Sequence, residues 1–478
     1  MRKVPAVLVS VLLLLAVCGG VVYLRPELAP PGPLHPRYIV HEIRGDRIHP
    51  FIATDPHKMY SITLWDVRWP IFRKELYNYD EFVDYMVQGF TAVNPNVRVE
   101  IRLFDLATSS DELRSAIEAG ERPDVLAGTF DPALAERGLL VDLSPFFDEA
   151  EAGRFVPGAL APLVVGGRIY AYPRWFEPQY ILANATVLAR IGIDLDAIRR
   201  NGWTWQDVAG LGARFKSTDV IPLILDTSDP QAFETLVLSA GGGRAFDGQG
   251  TLVWSEHDLA PLVSVVGTLM KQGTLPSPPS RYRASQAELF WSGRAALLGP
   301  ASSGFLRYVR ERAGGAVRAP SGESKIPGFD IAVLPLPGKQ GGRGELLGSL
   351  SSLMVFDCGD RERARIAVDF ARFLATWCPT RVTDALQLVS CHTECLDRSL
   401  AGLIVKTGTD WISQGLTGGA TVQAGPATGL DVRQLQGLSR LAGAVKSFWD
   451  RPVPAVKLVE SLHKAMTTGQ PGPKPKAP

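Results

Sequence analysis

Neither sign of charge predominates in this chain: 50 Lys and Arg stand against 49 Asp and Glu. Without a basic field, nothing draws nucleic acid to its surface. No segment carries G-x-x-x-x-G-K-[ST], which excludes a P-loop nucleotide site. The run Gly342-Arg343-Gly344-Glu345-Leu346-Leu347-Gly348 has its glycines at the wrong spacing for a dinucleotide fingerprint, and it precedes a strand instead of following one. Neither G-x-S-x-G nor H-E-x-x-H occurs. The seven histidines are scattered, with His35, His41 and His49 near the N-terminus, and none completes a nucleophile or metal arrangement. No repeat of fixed period appears, which argues against a solenoid or propeller.

Cysteine is scarce as well. Apart from Cys18 there are four, Cys358, Cys378, Cys391 and Cys395, enough for two disulfides in any of three pairings in an oxidising compartment. Cys391-His392-Thr393-Glu394-Cys395 resembles a metal loop, but a structural zinc needs four ligands and no second Cys/His pair lies nearby. No metal site and no cofactor are expected.

What is present begins at the N-terminus. Met1-Arg2-Lys3 is basic, and Val4 to Leu24 holds no charged residue. A helix of that length spans a hydrocarbon core of about 30 Å, and the positive-inside rule sends everything after Arg25 outside. Three readings stay open for residues 1–25: an uncleaved transmembrane anchor, lipidation at Cys18 in Leu15-Ala16-Val17-Cys18-Gly19, or a cleaved signal peptide. Prolines at 26, 30, 31, 33 and 36 make the start of 26–54 a semi-rigid stalk followed by an arm. The Gly/Pro/Lys-rich residues 467–478 form a tail expected to be disordered.

Between these ends the pattern alternates. Tyr60 to Trp65 has strand alternation; Phe82, Tyr85, Met86, Phe90 and Val93 sit at helical spacing; Val97 to Ile101 is again a strand. A short helix over 111–119, a strand at 123–127 and a helix from Pro132 follow, and a similar succession restarts after Asn184, an expected N-cap. Thr204 with Asp207 forms a capping box, and 361–376 is an amphipathic helix. Strands alternating with helices predict parallel sheets in an α/β architecture, and 478 residues predict more than one domain.

Aromatic and carboxylate side chains gather where open α/β sheets bind ligands, outside strand ends. Trp65-Asp66 follows the first strand, Phe130-Asp131 follows the third, and "RIYAYPRWFEPQYILAN" sets Trp175, Phe176 and Glu177 between two strands. Aromatic rings stack on apolar sugar faces, and carboxylates, amides and guanidinium groups meet hydroxyls, so this lining suits a carbohydrate. Core packing is the competing reading for each ring taken singly; Trp203, Trp205, Trp377 and Trp449 are assigned to packing.

The order "SITLW", "VQGFTAVNPNVRVEI", "RPDVLAGTFDPALAERGLLVDLSPF", "GGRIYAYPRWFEPQYILANATVLARIGI", "GWTWQDVAGLGARF", "FWSGRAALLGPASSGF", "LPLPG" and "RARIAVDFARFLAT" resembles family 1 of the extracellular solute-binding proteins, the sugar-binding receptors of ABC importers. The resemblance implies a two-lobe periplasmic-binding-protein-like fold of type II with a three-segment hinge. Lobe 1 would comprise 55–180 with 346–395, and lobe 2 would comprise 181–345 with 396–466. The crossings would fall at Pro173 to Ala183, near Glu345 to Ser349, and near Cys391 to Cys395. Closure of the lobes on solute would present a form that membrane permease subunits recognise. By the same resemblance the ligand residues would be Trp65, Asp66, Phe130, Asp131, Trp175, Glu177, Phe233, Ser302, Phe305 and Ser349. The usual "YYN" is replaced by Ile181-Leu182-Ala183-Asn184, which removes an aromatic pair. The expected protein is thus a non-enzymatic, monomeric receptor for a small solute, held at the outer face of the membrane. A ligand-sensing or scaffold domain of the same fold and, more remotely, a glycoside-active enzyme are the alternatives.

Overall fold

The computed structural model describes residues 48–69, 78–105, 109–227, 229–247, 251–302, 329–339, 346–377, 388–402, 411–412, 416, 423–424 and 432–468. The expected anchor, Cys18, the stalk, the arm up to residue 47, Phe305, Cys378, Glu345 and the tail beyond 468 lie outside them. Among the described residues no helix is long and apolar enough to cross a membrane.

In chain order the elements that frame the site are β1 (Tyr60–Arg68), α1 (Tyr79–Val93), β2 (Val97–Asp105), α2 (Ser109–Glu118), β3 (Val125–Thr129), α3 (Pro132–Glu136), β4 (Ala171–Pro178) and β5 (Tyr180–Asn184). There follow α4 (Ala185–Arg190), α5 (Trp205–Arg214), β6 (Ile221–Leu225), α6 (Pro230–Ser239), α7 (Glu256–Lys271), α8 (Gln286–Trp291), β7 (Ala295–Ala301) and β8 (Ile331–Leu334). The rest are β9 (Leu347–Val355), α9 (Arg361–Thr376), β10 (Val389–Ser390), α10 (Thr393–Gly402), β11 (Gln423–Ala424), α11 (Val432–Asp450) and α12 (Ala455–Thr468). The last helix runs two residues into the expected tail.

Two sheets result. The first has the order β10-β4-β9-β3-β1-β2, with β11 beside β9; β1 is parallel to β2 and β3, and β9 is antiparallel to β3 and β4. The second is β8-β5-β7-β6. Strand β3 is buried at all five residues, as a central strand covered on both faces must be. Asn78 caps α1 by accepting from the Glu81 N–H, and the apolar stripe of that helix brings Phe90 to 4.9 Å from Phe370 on α9. In the second lobe the expected Thr204–Asp207 capping box starts α5. Helices α11 and α12 pack against α6 and α7, and Trp449 is fully buried.

The lobes are joined without a loop at the first crossing. Strand β4 belongs to the first sheet and β5 to the second, and Gln179 alone separates them. The Gln179 N–H donates to the Leu347 carbonyl at 2.8 Å, so the ladder between β4 and β9 continues to the sheet change. Residues 391–395 are tied to the first lobe, through the Phe155–His392 bridge and the Thr393 N–H on the Arg154 carbonyl at 2.8 Å. Beyond α10, β11 still pairs with β9 of the first sheet, and α11 and α12 pack on helices of the second lobe.

The disulfide expectation is corrected for two cysteines. Cys358 is exposed, with its Sγ 3.5 Å from the Asp360 carbonyl, and Cys391 is wholly buried in apolar core; both thiols are free. Burial pushes the Cys391 thiol far above its ordinary pKa. Cys395 lies beside the end of α9, its Sγ 4.0 Å from the Thr376 carbonyl.

Gly348 shows how closely the crossing strands approach. A Cβ there would stand 2.4 Å from the Glu177 carbonyl oxygen and 2.4 Å from the Phe176 ring. Gly348→Ala is therefore expected to destabilise the fold by about 1–3 kcal/mol through overpacking. Urea unfolding of the two proteins checks this, with an unchanged midpoint as the contrary result.

Candidate functional site

The site begins with a change of parity in β4. Residues 175–178 pair in regular register with β9, Trp175 opposite Ser351 and Pro178 opposite Gly348, but Ser352 pairs with Pro173. Arg174 is the extra residue, a β-bulge. Neighbouring side chains on a regular strand point to opposite faces. Here the bulge lets Arg174 and Trp175 meet, with the guanidinium carbon 3.8 Å from the indole centroid.

Asp66 at the end of β1 holds that guanidinium. Arg174 Nη1 donates to Asp66 Oδ2 at 3.0 Å, the Tyr79 hydroxyl donates to the same oxygen at 2.9 Å, and both charged side chains are 1–2 % exposed. Burial acts to lower the pKa of Arg174, but Asp66 and then Tyr79 outweigh it and the net direction is upward. Burial, then Asp66, raises that of Tyr79 well above a free phenol.

Beside this pair four strands form a row in register: Thr129 at the end of β3, Ser351 and Trp175 within β9 and β4, and Ser390 at the end of β10. One step further, Glu177 pairs with Ser349. Trp69, Thr129, Trp175, Glu177, Ser349 and Ser351 line a narrow recess of about 10 Å³, room for about one water molecule. A larger recess of about 310 Å³ is lined by Gln179, Asp226, Asp229, Gln231, Arg283, Gln286 and Ser302. Gln286 Nε2 donates to the Leu225 carbonyl at 2.6 Å and the Thr227 hydroxyl at 3.1 Å, which fixes its amide. Asp229 caps α6, accepting from the Gln231 N–H at 2.8 Å. It stands open to solvent on one side, yet the crowding of its carboxyl by protein, and then Asp226, push its pKa up to about 6.

Trp175, Glu177 and Ser349 therefore come together in one recess, and Ser302 joins the other. Phe305 lies outside the described residues, and the other expected residues line neither recess. Asp66 faces Arg174 and is buried. Trp65 is 6 % exposed, packed edge-on to Phe104 and covered by Arg102, whose guanidinium carbon is 4.8 Å from its ring. Phe130 belongs to the apolar core, and Asp131 caps α3 by accepting from the Ala133 N–H at 2.9 Å. Phe233 is fully buried, edge-on to Trp254, Phe448 and Trp449, because its face of α6 turns toward α7 and α11. Trp69, Thr129 and Ser351 were not anticipated. The serines at 349 and 351, alternating within an otherwise apolar strand, were the available signal; Gln179 and Gln286 offered none. Among the described residues no group of His, Cys, Asp or Glu is placed to hold a metal ion.

The family model described as bacterial extracellular solute-binding protein matches residues 75–376. An uncharacterized lipoprotein in the oleD 5′ region of Streptomyces antibioticus is 24 % identical over 321 residues, 64 % of this chain and 69 % of that one. Two crystal structures share the fold. The GacH receptor of Streptomyces glaucescens, solved unliganded and with acarbose, matches with TM-score 0.57 and 15 % identity over 86 % of this chain and 98 % of its own. The cyclic α-maltosyl-1,6-maltose binding protein of Arthrobacter globiformis matches with TM-score 0.58 and 16 % identity over 85 % and 98 %.

Because Asp66 neutralises a buried guanidinium, Asp66→Ala is expected to cost about 3–5 kcal/mol of stability, the usual penalty for stranding a buried charge. Guanidinium-chloride unfolding measures it. A surface-like loss below about 1 kcal/mol would contradict the assignment.

Proposed function

The chain belongs to the bacterial extracellular solute-binding proteins, and from that premise we propose that it binds an oligosaccharide between its lobes and delivers it to an ABC importer. The observation that carries this reading is the division of chemistry across one crossing strand. The first lobe offers two indoles, a row of hydroxyls and the Glu177 carboxylate; the second offers two carboxylates, a guanidinium and three amides. Sugars need both kinds of surface, a ring face for their C–H groups and planar polar groups for their hydroxyls. Structures of like fold were solved with, or named for, such molecules: acarbose in one, a cyclic maltosyl-maltose in the other.

Glu177 and Gln179 are two residues apart on a ladder that stays in register, so they share a face. A ligand touching both recesses would bridge β4 and β5 and favour the form in which the lobes are closed. The basic start and uncharged run before Arg25 support a membrane tether on the outer face, and the lipoprotein relative supports lipidation as its form. The reading assigns the chain binding and release, with no bond made or broken in the sugar.

A thermal-shift and calorimetry screen across an oligosaccharide panel that includes acarbose tests this. A true ligand at about 100 times its Kd adds about 2.7 kcal/mol of stability. The panel should yield a ligand that is recovered unchanged, and Trp69→Ala and Gln286→Ala should each weaken it at least tenfold. If Asp229 accepts a sugar hydroxyl, affinity falls as pH drops from about 7.5 to about 5, because the carboxylate acceptor is lost on protonation, and Asp229→Asn flattens that profile. No response to any sugar, or the appearance of cleaved products, defeats the reading.

A further inference from the structure

We propose that Arg174 is a positioning residue that sets the plane of Trp175 and thereby the shape of the first-lobe recess. The proposal rests on reading that recess as the solute site. A flat guanidinium 3.8 Å from the indole centroid covers one part of the ring, while Phe82 on α1 stands 6.4 Å away on a tilted plane. The indole is thus clasped between a strand residue and a helix residue. It is 7 % exposed, so a small rotation decides how much of it reaches the recess.

Two observations say that Arg174 is there for geometry. First, its contact with Trp175 exists only through the bulge; a regular strand would send the two side chains to opposite faces. Second, the arrangement is a poor way to gain stability. A wholly buried guanidinium spends Nη1 on Asp66, while among the described residues its Nε meets no acceptor. An apolar cluster of the same volume is commonly as stable as a buried ion pair or more so. What an apolar cluster lacks is directionality. Asp66 is itself fixed, by the Tyr79 hydroxyl and by the Val67 N–H at 2.8 Å, so the chain Tyr79–Asp66–Arg174–Trp175 transmits the position of α1 and β1 to the indole. Cation–π attraction at 3.8 Å then holds the ring, and Lys is no equal substitute because its ammonium is a compact point charge on a flexible stem.

The experiment labels the protein with 5-fluorotryptophan. Of its ten tryptophans, the Trp175 resonance is identified by its loss in Trp175→Phe. In Arg174→Lys, which keeps a positive charge opposite Asp66, that resonance should shift and broaden while the melting transition stays cooperative. With acarbose as the probe, or the strongest ligand of the screen, Arg174→Lys should raise the Kd at least threefold in the parent and leave it unchanged in a Trp175→Ala background. An unmoved Trp175 resonance, or an equal loss in both backgrounds, overturns the proposal and leaves Arg174 a packing residue. Should Arg174→Lys fail to fold, Asp66→Asn keeps the guanidinium and removes the charge that anchors it, and the same resonance must move. If no sugar binds the parent, the functional reading fails, and the resonance alone still decides whether Arg174 orients the indole.

Discussion

The ladder between β4 and β9 is the constraint on which the rest depends. Both strands lie in the first sheet, and both stand at passages to the second: β4 gives way to β5 after one residue, and β9 is reached from β8. Backbone hydrogen bonds run along this pair as far as Gln179 and Leu347. Rotation of one lobe against the other is then confined to the few dihedrals beyond that last bond, because breaking the ladder would strand buried donors and acceptors. The close approach at Gly348 adds a steric reason for the same restriction. A hinge of this kind permits bending about one place and resists sliding, which keeps Glu177 and Gln179 in a fixed relation.

The two lobes contribute unlike chemistry at that hinge. Indoles, hydroxyls and the Glu177 carboxylate stand on and beside β1, β3, β4 and β9, whereas the wall built from β6, α6 and α8 is made of carboxylates and amides held in place by backbone groups. Gln286 is the clearest instance: its amide nitrogen is already committed to Leu225 and Thr227, which leaves the carbonyl oxygen oriented. Pre-orientation of this sort lowers the entropy lost when a ligand is captured. A ligand can shift a lobe equilibrium only by as much as its affinity differs between the two forms.

Much of this was legible in the residues. The strand at β3, the capping box at Thr204 and the stripe of α9 follow from local rules that tertiary packing did not override. The first crossing was legible too, because a cluster of aromatic and charged side chains between two apolar runs is hard to place inside one sheet. What stayed hidden was parity. Strand alternation assigns faces correctly only while the register is regular, and the bulge at Arg174 reverses it for part of β4. Asp66 shows the same limit from the other side. A carboxylate after a strand looks like a ligand group, and only the long-range partner at position 174 reveals it as a counter-ion. Phe233 failed for a simpler reason: a helix buries one face, and sequence does not say which neighbour that face meets.

The buried pair also bears on why the recess belongs to the first lobe's strand ends and not to its core. Asp66 and Arg174 together bring no net charge into the interior, yet each loses its hydration, and the Coulomb attraction at 3.0 Å must offset that loss. Placed at the sheet's centre, an arrangement with one unmet N–H would weaken the fold with no return. Placed near the end of β1 and at the bulge of β4, a few residues before the change of sheet at Gln179, it stiffens the strand that carries Trp175 and Glu177. Stiffness there has value because an indole is a useful platform only if its plane is fixed before the ligand arrives. The energetic cost of burying the pair and the precision of the recess are two consequences of one bulge.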